Sequence, residues 1–250
     1  MKIWISGAAG HMGQAVAQLA AEQGVTVLGG IDMRDVPGMT VHRGFDSLPE
    51  TGDAVIDFSA PAALDGLLAW AVKNGVPCVL ATTGYTEAQL AAVGEAAKAI
   101  PVFRSANMSV GIALLQKLAR EAAAALGENF DIEIVEAHHR RKKDAPSGTA
   151  LMLYDAVKDA REKASPAVFG REGRDCPRQP GEIGVHAVRG GTVTGEHRVL
   201  FLGDMERIVL SHSAENRAVF AAGALRAAAF LQGRAPGIYD MTALLDAAAG

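Results

Sequence analysis

Cysteine is scarce in this 250-residue sequence, which contains only Cys78 and Cys176. The two residues lie far apart and in no spacing typical of metal ligands, so we expect free thiols in a reducing cytoplasm, without a disulfide or a zinc site. Aromatic residues make up 5% of the chain, and its net charge is −4 at pH 7. Because a nucleic-acid surface needs positive charge and stacking side chains, we do not expect this protein to bind nucleic acid.

Long apolar segments are missing as well. The most apolar helical stretch, residues 219–231, is interrupted by Arg226 and is too short to cross a bilayer. The apolar residues at the start of the chain lead directly into a glycine-rich turn, which is not typical of a secretory signal. We therefore expect a cytoplasmic protein without a membrane partner, and a chain of this length forms one or two domains.

The first hundred residues alternate between strand and helix patterns. Strands are predicted over 3–6, 25–31, 54–58, 76–80 and 102–104, and helices over 14–23, 64–73 and 87–99. Strand–helix alternation with short loops favours a doubly wound parallel sheet in an α/β domain.

The pattern changes after residue 107. Helices are predicted over 110–126 and 149–163, with a strand over 132–138 between them, and a loop follows over 165–181. Three consecutive strands come next, over 184–189, 192–201 and 207–213, and helices over 218–232 and 242–249 close the chain. Consecutive strands favour a mixed or antiparallel sheet in a second, α+β domain. We place the two closing helices against the first domain, which gives domains of 1–108 plus 218–250 and 109–217.

A glycine-rich turn separates the first predicted strand from the first helix: Gly7-Ala8-Ala9-Gly10-His11-Met12-Gly13. Small residues let the backbone approach a pyrophosphate, and a helix N-terminus supplies unpaired N–H groups. Asp32 ends the second strand, 19 residues after Gly13, where an acid can bind adenosine ribose hydroxyls. Such turns alone occur in many α/β proteins, but strand, turn, helix and acid in this order predict a dinucleotide-binding, Rossmann-like domain.

A basic run begins where the strand 132–138 ends: His138-His139-Arg140-Arg141-Lys142-Lys143. A solvated loop or a nucleic-acid patch is the plainer interpretation, but the run has no aromatic neighbour and the whole chain is anionic. Histidine suits proton transfer near neutral pH, and clustered cations suit a small substrate with more than one carboxylate.

The segment directly after the basic run is typical of a helix start: Asp144-Ala145-Pro146-Ser147-Gly148-Thr149. Either Ser147 or Thr149 can serve as the cap. A capped helix N-terminus also binds anions, so the basic run and the helix start together predict one pocket for a dicarboxylate.

Two further turns follow predicted strands, at 81–84 and 105–108, where the carboxyl edge of a parallel sheet binds ligands. His186, His197 and His212 are isolated in strands, and we interpret them as packing or surface histidines. His42 has no supporting context.

Together these motifs resemble the 4-hydroxy-tetrahydrodipicolinate reductase family, also called dihydrodipicolinate reductase. Residues 136–150 are similar to the family signature Glu-x-His-His-x-x-Lys-x-Asp-x-Pro-Ser-Gly-Thr. The resemblance covers nearly the whole chain and includes residues 7–13, 81–84, 107–111, 189–197 and 215–230.

The resemblance implies a homotetrameric enzyme of lysine biosynthesis via diaminopimelate. Such an enzyme uses NADH or NADPH to reduce 4-hydroxy-2,3,4,5-tetrahydrodipicolinate to tetrahydrodipicolinate. Hydride reaches ring carbon C4 after the 4-hydroxyl is lost as water, while the two domains close over the substrate. The domain 109–217 then serves substrate binding and oligomerisation, and no metal is implied.

The resemblance also implies roles for individual residues. His138 and Lys142 match the catalytic histidine and the proton-donating lysine, and the order of their proton transfers stays open. His139, Gly148 and Thr149 match substrate-binding positions, and we add Ser147 at the helix start. The predicted cofactor-binding residues are Gly7, Ala8, Ala9, Gly10, His11, Met12, Asp32, Ala81, Thr82, Thr83, Ser105, Ala106, Asn107 and Met108.

Three positions depart from the family pattern and affect the choice of cofactor. Met33 stands where many members have an arginine for the NADP 2′-phosphate, and Arg34 is the candidate to replace it. Ala81 replaces a common glycine, and Met108 replaces a frequent phenylalanine. We therefore favour NADH or dual use, because Asp32 repels a 2′-phosphate.

Two alternative functions fit part of the sequence. A related NAD(P)-dependent amino-acid or semialdehyde dehydrogenase explains the glycine-rich turn equally well but explains the segment 146–149 less well. A nucleotide-sensing regulatory protein keeps the turn but has no need of His138 and Lys142.

Overall fold

Two separate hydrophobic cores divide the chain in the computed structural model, which describes residues 1–161 and 165–249. Unit 1 comprises Met1–Val110 and the C-terminal segment that begins at Arg217. Unit 2 comprises Gly111–Asn216. Each unit is built around its own sheet.

The N-terminal part of unit 1 alternates strands and helices as the sequence predicts. Its strands are β1 (Lys2–Ser6), β2 (Thr26–Ile31), β3 (Val41–His42), β4 (Ala54–Asp57), β5 (Cys78–Leu80) and β6 (Pro101–Arg104). Its helices are α1 (His11–Glu22), α2 (Leu64–Asn74) and α3 (Glu87–Ala96).

Unit 2 contains two long helices and a second sheet. The helices are α4 (Val110–Leu126) and α5 (Gly148–Lys158). The strands are β7 (Asp131–His138), β8 (Ala167–Phe169), β9 (Ile183–Arg189), β10 (Glu196–Leu202) and β11 (Arg207–Ser213). The chain then returns to unit 1 with α6 (Ala218–Phe230), β12 (Gly237–Tyr239) and α7 (Met241–Ala249).

The sheet of unit 1 has seven parallel strands in the order β12-β6-β5-β4-β1-β2-β3. Consecutive residues of its central strands are buried, so both faces of the sheet are covered, as expected for a parallel sheet between two helix layers. Trp4 and Val55 pack with α2 and α3 on one face. On the other face Phe103 meets Phe230 of α6 edge to face. The doubly wound, Rossmann-like fold that the sequence predicts is confirmed.

The sheet of unit 2 is mixed, in the order β11-β10-β7-β9-β8. β7 runs parallel to β9 and antiparallel to β10. Side chains of one face of β7 alternate into the core, where Ile132 and Ile134 pack with α4 and α5. Since strand side chains alternate with period two, Glu136 and His138 continue the same inward-facing row.

The short strands differ from the prediction. β3, β8 and β12 have two or three residues each, too few for a hydrophobic period to indicate a strand, and β8 lies in the predicted loop 165–181. β10 begins at Glu196 instead of residue 192, because residues 192–195 form the connection that pairs with the end of β7. Helix α5 ends at Lys158, and the last predicted helical residues, 162 and 163, lie outside the described residues. No helix within the described ranges is long and apolar enough to cross a membrane.

Candidate active site

The glycine-rich turn forms a narrow backbone cradle between β1 and α1. Gly7 has φ +79°, and a Cβ there would lie 2.6 Å from the carbonyl oxygen of Phe58, so only glycine fits. A Cβ on Gly13 would lie 2.3 Å from the carbonyl oxygen of Gly7, which explains the close packing of α1 on the turn. Gly10 caps α1 without a side chain. Because the first N–H groups of a helix have no partner inside it, this start suits a pyrophosphate.

Asp32 is tied to this cradle. Its carboxylate accepts hydrogen bonds from the backbone N–H groups of Ala9 at 2.9 Å and Arg34 at 3.0 Å. The guanidinium group of Arg34 donates to the carbonyl oxygen of Ala9 at 3.1 Å, yet the side chain is 72% exposed. The acid therefore lies beside the turn, as predicted, and an exposed cation lies next to it.

A buried carboxylate, Asp57 at the end of β4, holds the neighbouring turns together. It accepts hydrogen bonds from the hydroxyls of Ser59 at 2.5 Å and Thr82 at 2.6 Å. Tyr85 also reaches it, at 3.3 Å. The hydroxyl of Thr82 is therefore bound within the protein, whereas Thr83 is exposed.

The turn at 105–108 lies at the same sheet edge, since the N–H of Ser105 donates to the carbonyl oxygen of Leu80. The hydroxyl of Ser105 donates to the carbonyl oxygen of Asn107 at 2.7 Å, and the amide oxygen of Asn107 accepts from the N–H of Ser109 at 2.8 Å. Met108 is buried, whereas Ala106 is exposed. The predicted cofactor-binding residues thus lie in unit 1 on loops that follow parallel strands, except His11 and Met12, which begin α1.

In unit 2 the carboxylate of Glu136 is the centre of the polar network. It is fully buried and accepts from the Nδ1 atom of His138 at 2.6 Å and from the backbone N–H of Ser147 at 2.9 Å. Arg189 donates to both oxygens, at 2.7 and 2.8 Å. One carboxylate therefore links the end of β7, the start of α5 and the end of β9.

A second histidine, His197, contacts both His138 and Ser147. The rings of His138 and His197 lie edge to face, with centroids 5.2 Å apart. The Nε2 atom of His197 lies 3.1 Å from the hydroxyl of Ser147, which also accepts from the N–H of Ala150 at 3.2 Å. Ser147 is the N-cap of α5, so the cap prediction is confirmed at Ser147 and not at Thr149.

Lys142 lies on the loop between β7 and α5. Its ammonium group forms an ion pair with Asp144 at 2.9 Å. Gly148 is exposed and Thr149 is half-buried in the first turn of α5. The N-terminus of α5 and the ammonium group of Lys142 therefore bring positive charge to the segment that follows β7.

Burial and charge set the protonation of this network. Burial alone raises the pKa of Glu136, but Arg189, His138 and the N–H of Ser147 outweigh it and hold that pKa below its usual value. Burial lowers the pKa of His138, and the cations of Lys142 and Arg189 add to this against the opposing effect of Glu136. The site therefore contains a carboxylate and a neutral imidazole at neutral pH.

Asp57, Glu136, Arg189 and His197 are central to these networks but are not among the predicted site residues. Glu136 could have been found, because it precedes His138 by two residues on a strand and so shares its face. Arg189 and His197 come to the site through strand pairing, which places Arg189 opposite His138 and His197 opposite Glu136. Isolated residues on distant strands give no local signal for this. In the part of the chain that the structure describes, no group of three His, Cys, Asp or Glu residues is arranged to hold a metal.

Comparisons with known families match nearly the whole length of the chain. Residues 1–108 match the family described as "Dihydrodipicolinate reductase, N-terminus", and residues 111–245 match "Dihydrodipicolinate reductase, C-terminus". A 4-hydroxy-tetrahydrodipicolinate reductase of Caldanaerobacter subterraneus subsp. tengcongensis is 49% identical over 247 residues, with 98% of each chain covered. The enzyme of the same name from Thiobacillus denitrificans is 43% identical over 262 residues, again with 98% of each covered.

Solved structures show the same fold. A dipicolinate-bound dihydrodipicolinate reductase from Paenisporosarcina sp. TG-14 is similar with a TM-score of 0.81 and 24% identity, covering 96% of this chain and 97% of that one. The DAP dehydrogenase of C. glutamicum is more distant, with a TM-score of 0.56, 14% identity, and coverage of 96% and 92%.

Proposed function

This chain belongs to the dihydrodipicolinate reductase family, and from that premise we propose that it reduces 4-hydroxy-2,3,4,5-tetrahydrodipicolinate to tetrahydrodipicolinate with NADH or NADPH. The reaction belongs to lysine biosynthesis via diaminopimelate. The observation that carries this function is the segment from Glu136 to Thr149. Its family signature folds into one network that presents a histidine, a lysine and a helix start together.

The loops of unit 1 fit a nicotinamide dinucleotide. Any side chain at Gly7 would fill the turn, and Gly10 leaves the start of α1 without a capping side chain. We assign the pyrophosphate to residues 7–12, the adenosine ribose to Asp32, and the remaining contacts to residues 81–83 and 105–108. When bound, the reduced cofactor supplies the hydride.

Unit 2 supplies the groups that hold a ring dicarboxylate. The N–H groups of Gly148 and Thr149 lie in the first turn of α5, where the helix dipole favours an anion. The four basic residues that follow His139, from Arg140 to Lys143, add positive charge. We propose that one substrate carboxylate binds at this helix start. Ser147 contributes by holding the first turn of α5 in place, because its buried hydroxyl caps the helix.

We assign the proton donor to Lys142. Its ammonium group pairs with Asp144 at 2.9 Å, whereas burial holds the pKa of His138 below its usual value, so that its ring is neutral. The carboxylate of Glu136 accepts a hydrogen bond from the Nδ1–H group of His138. Nε2 is then the nitrogen of His138 that can accept a hydrogen bond. His138 then orients the substrate beside Lys142.

A coupled assay tests this function. The purified chain is mixed with pyruvate, aspartate semialdehyde and the synthase that condenses them, and nicotinamide absorbance is followed. Absorbance should fall only when the condensation product forms. Oxidation of the cofactor with aspartate semialdehyde alone would favour the semialdehyde-dehydrogenase alternative, and tight NADH binding without any turnover would favour a sensor.

The same assay compares the two cofactors. We propose use of NADH or of both cofactors, since Asp32 lies where a 2′-phosphate would bind and Arg34 is the nearest exposed cation. Arg34→Ala should lower kcat/KM for NADPH about tenfold more than for NADH. A strong NADPH preference that survives Arg34→Ala would contradict this assignment.

We further propose that the enzyme is a cytoplasmic homotetramer, with unit 2 as the oligomerisation domain. The face of its sheet that points away from α5 exposes Val188 and Val209, which are 52% and 46% exposed. Light scattering should give four times the 26.0 kDa chain mass, about 104 kDa. A monomer at micromolar concentration would refute the assembly.

A further inference from the structure

His197 is a buried histidine that the proposed reaction leaves without a role. Its side chain is 3% exposed, and the sequence alone suggests only a packing residue. Strand pairing between β7 and β10 nevertheless places it directly opposite Glu136 and against the ring of His138.

The contacts of His197 complete a closed ring of four residues. Glu136 accepts hydrogen bonds from the N–H of Ser147 and from Nδ1 of His138. The ring of His138 packs against the ring of His197, and Nε2 of His197 contacts the hydroxyl of Ser147. We propose that His197 is a positioning residue that couples the helix start receiving the substrate carboxylate to the catalytic histidine. This inference rests on the proposed reductase function.

The hydroxyl of Ser147 is the point through which His197 acts. It is buried, accepts from the N–H of Ala150 on one side and meets Nε2 of His197 on the other. A serine cap without a second anchor can rotate away from the helix, and the N–H groups of the first turn then lose their fixed direction. His197 therefore affects substrate binding through Ser147, and it fixes the orientation of the His138 ring by packing against it.

Its protonation fits this role. Burial, together with the neighbouring His138, lowers the pKa of His197 to about 4, so the ring is neutral wherever the enzyme works near neutral pH. A neutral ring can pack against His138 without adding a third cation beside Lys142 and Arg189. Positioning, not proton transfer, is the chemistry that remains for it.

Matched substitutions separate positioning from simple packing. His197→Gln places an amide near Nε2 and can still reach the hydroxyl of Ser147, whereas His197→Asn is too short and His197→Phe keeps only the ring. Phe201→Leu is the control, because Phe201 lies on the same strand and the same face of the sheet as His197 and packs in the hydrophobic core of unit 2. Each variant is measured for KM, kcat, NADH binding by fluorescence, and dipicolinate binding by calorimetry in the presence of NADH.

We expect His197→Phe and His197→Asn to raise KM for the dicarboxylate and the Kd of dipicolinate about three- to tenfold, the cost of one buried hydrogen bond. NADH binding should stay within about twofold. His197→Gln should recover most of the lost affinity, and Phe201→Leu should bind dipicolinate as the wild type does. In a Ser147→Ala background, His197→Phe should add little, because the two residues act through one contact.

Other outcomes overturn the proposal. Folded His197→Phe and His197→Asn with wild-type dipicolinate binding would reduce His197 to a packing residue. If His197→Phe does not fold, the Gln and Asn variants decide: equal affinities in both would refute the link to Ser147. A wild-type chain that neither reduces the substrate nor binds dipicolinate would refute the proposed function instead, since that failure precedes any substitution.

Discussion

Glu136 has no exposed surface, yet its carboxylate is held in the charged form by three different donors. A buried charge is tolerated only when its partners replace the water that it has lost. Arg189 provides most of this compensation, because its guanidinium group binds both oxygens side by side. The charge of Arg189 is therefore not available to bind a substrate. The Arg189–Glu136 pair instead holds β7, β9 and the start of α5 together.

Removing Arg189 should leave the buried carboxylate uncompensated. We expect Arg189→Met to lower the free energy of unfolding by about 3–5 kcal/mol in urea titrations at pH 7, and Glu136→Gln in the same chain to restore part of it. Arg198→Met is the control, because Arg198 is exposed and lies 3.8 Å from Glu196, a pair worth about 0–1 kcal/mol. Equal losses in the two arginine variants would contradict this account.

Lys142 differs from Arg189 because its only ion-pair partner in the described chain, Asp144, is itself largely exposed. Lys142→Ala should therefore keep the unfolding midpoint and lower kcat about 100-fold or more, the usual contribution of a positioned acid. Lys158→Ala, at the other end of α5, should keep wild-type turnover. Near-normal kcat in Lys142→Ala would refute the donor assignment.

At the scale of elements, α6 is held against the turn at 105–108 by a single small residue. A Cβ on Gly223 would lie 1.6 Å from the carbonyl oxygen of Met108, so no side chain fits without moving the helix away from this turn. Gly94 in α3 is the opposite case, since a Cβ there meets nothing within 4 Å.

The two glycines therefore predict opposite changes. Gly223→Ala should destabilise unit 1 by about 3 kcal/mol through overpacking and weaken NADH binding. Gly94→Ala should stabilise the chain by about 0.5–1 kcal/mol, because alanine loses less backbone entropy in a helix. Thermal unfolding with and without NADH measures both, and a neutral Gly223→Ala would show that α6 does not rest on this turn.

The start of α5 should also make stability depend on pH. The groups around His197 are His138, Glu136, His212 and Lys142, and burial with His138 sets its pKa at about 4, below the value of about 6.5 in an unfolded chain. Because the unfolded state binds the proton first, the stabilisation from neutral His197 is complete above pH 6.5 and is lost as the pH falls towards 4.

Comparison with a variant isolates this effect. Between pH 7 and pH 4.5, the unfolding free energy of the wild type should fall by about 2–3 kcal/mol more than that of His197→Gln, which has no titrating group at this position. Parallel pH profiles for the two proteins would show that His197 is not the buried base described here.

For the whole molecule, the sequence predicts what depends on neighbouring residues and misses what depends on strand pairing. Strand–helix alternation predicts the parallel sheet of unit 1, and the run of three consecutive strands predicts the mixed sheet of unit 2. The short strands β3, β8 and β12 carry no period of their own and form only because a longer strand is available to pair with. In the same way strand register brings Arg189 and His197 to partners that lie 53 and 50 residues away in sequence.

The central claim is that the segment from His138 to Thr149 in unit 2 receives a ring dicarboxylate. The most direct test is a crystal structure of the complex with dipicolinate and NADH. It should show one carboxylate within hydrogen-bond distance of the N–H groups of Gly148 and Thr149, with the Lys142 ammonium group beside the ring. Dipicolinate bound elsewhere, with residues 138–149 facing only solvent, would contradict the account.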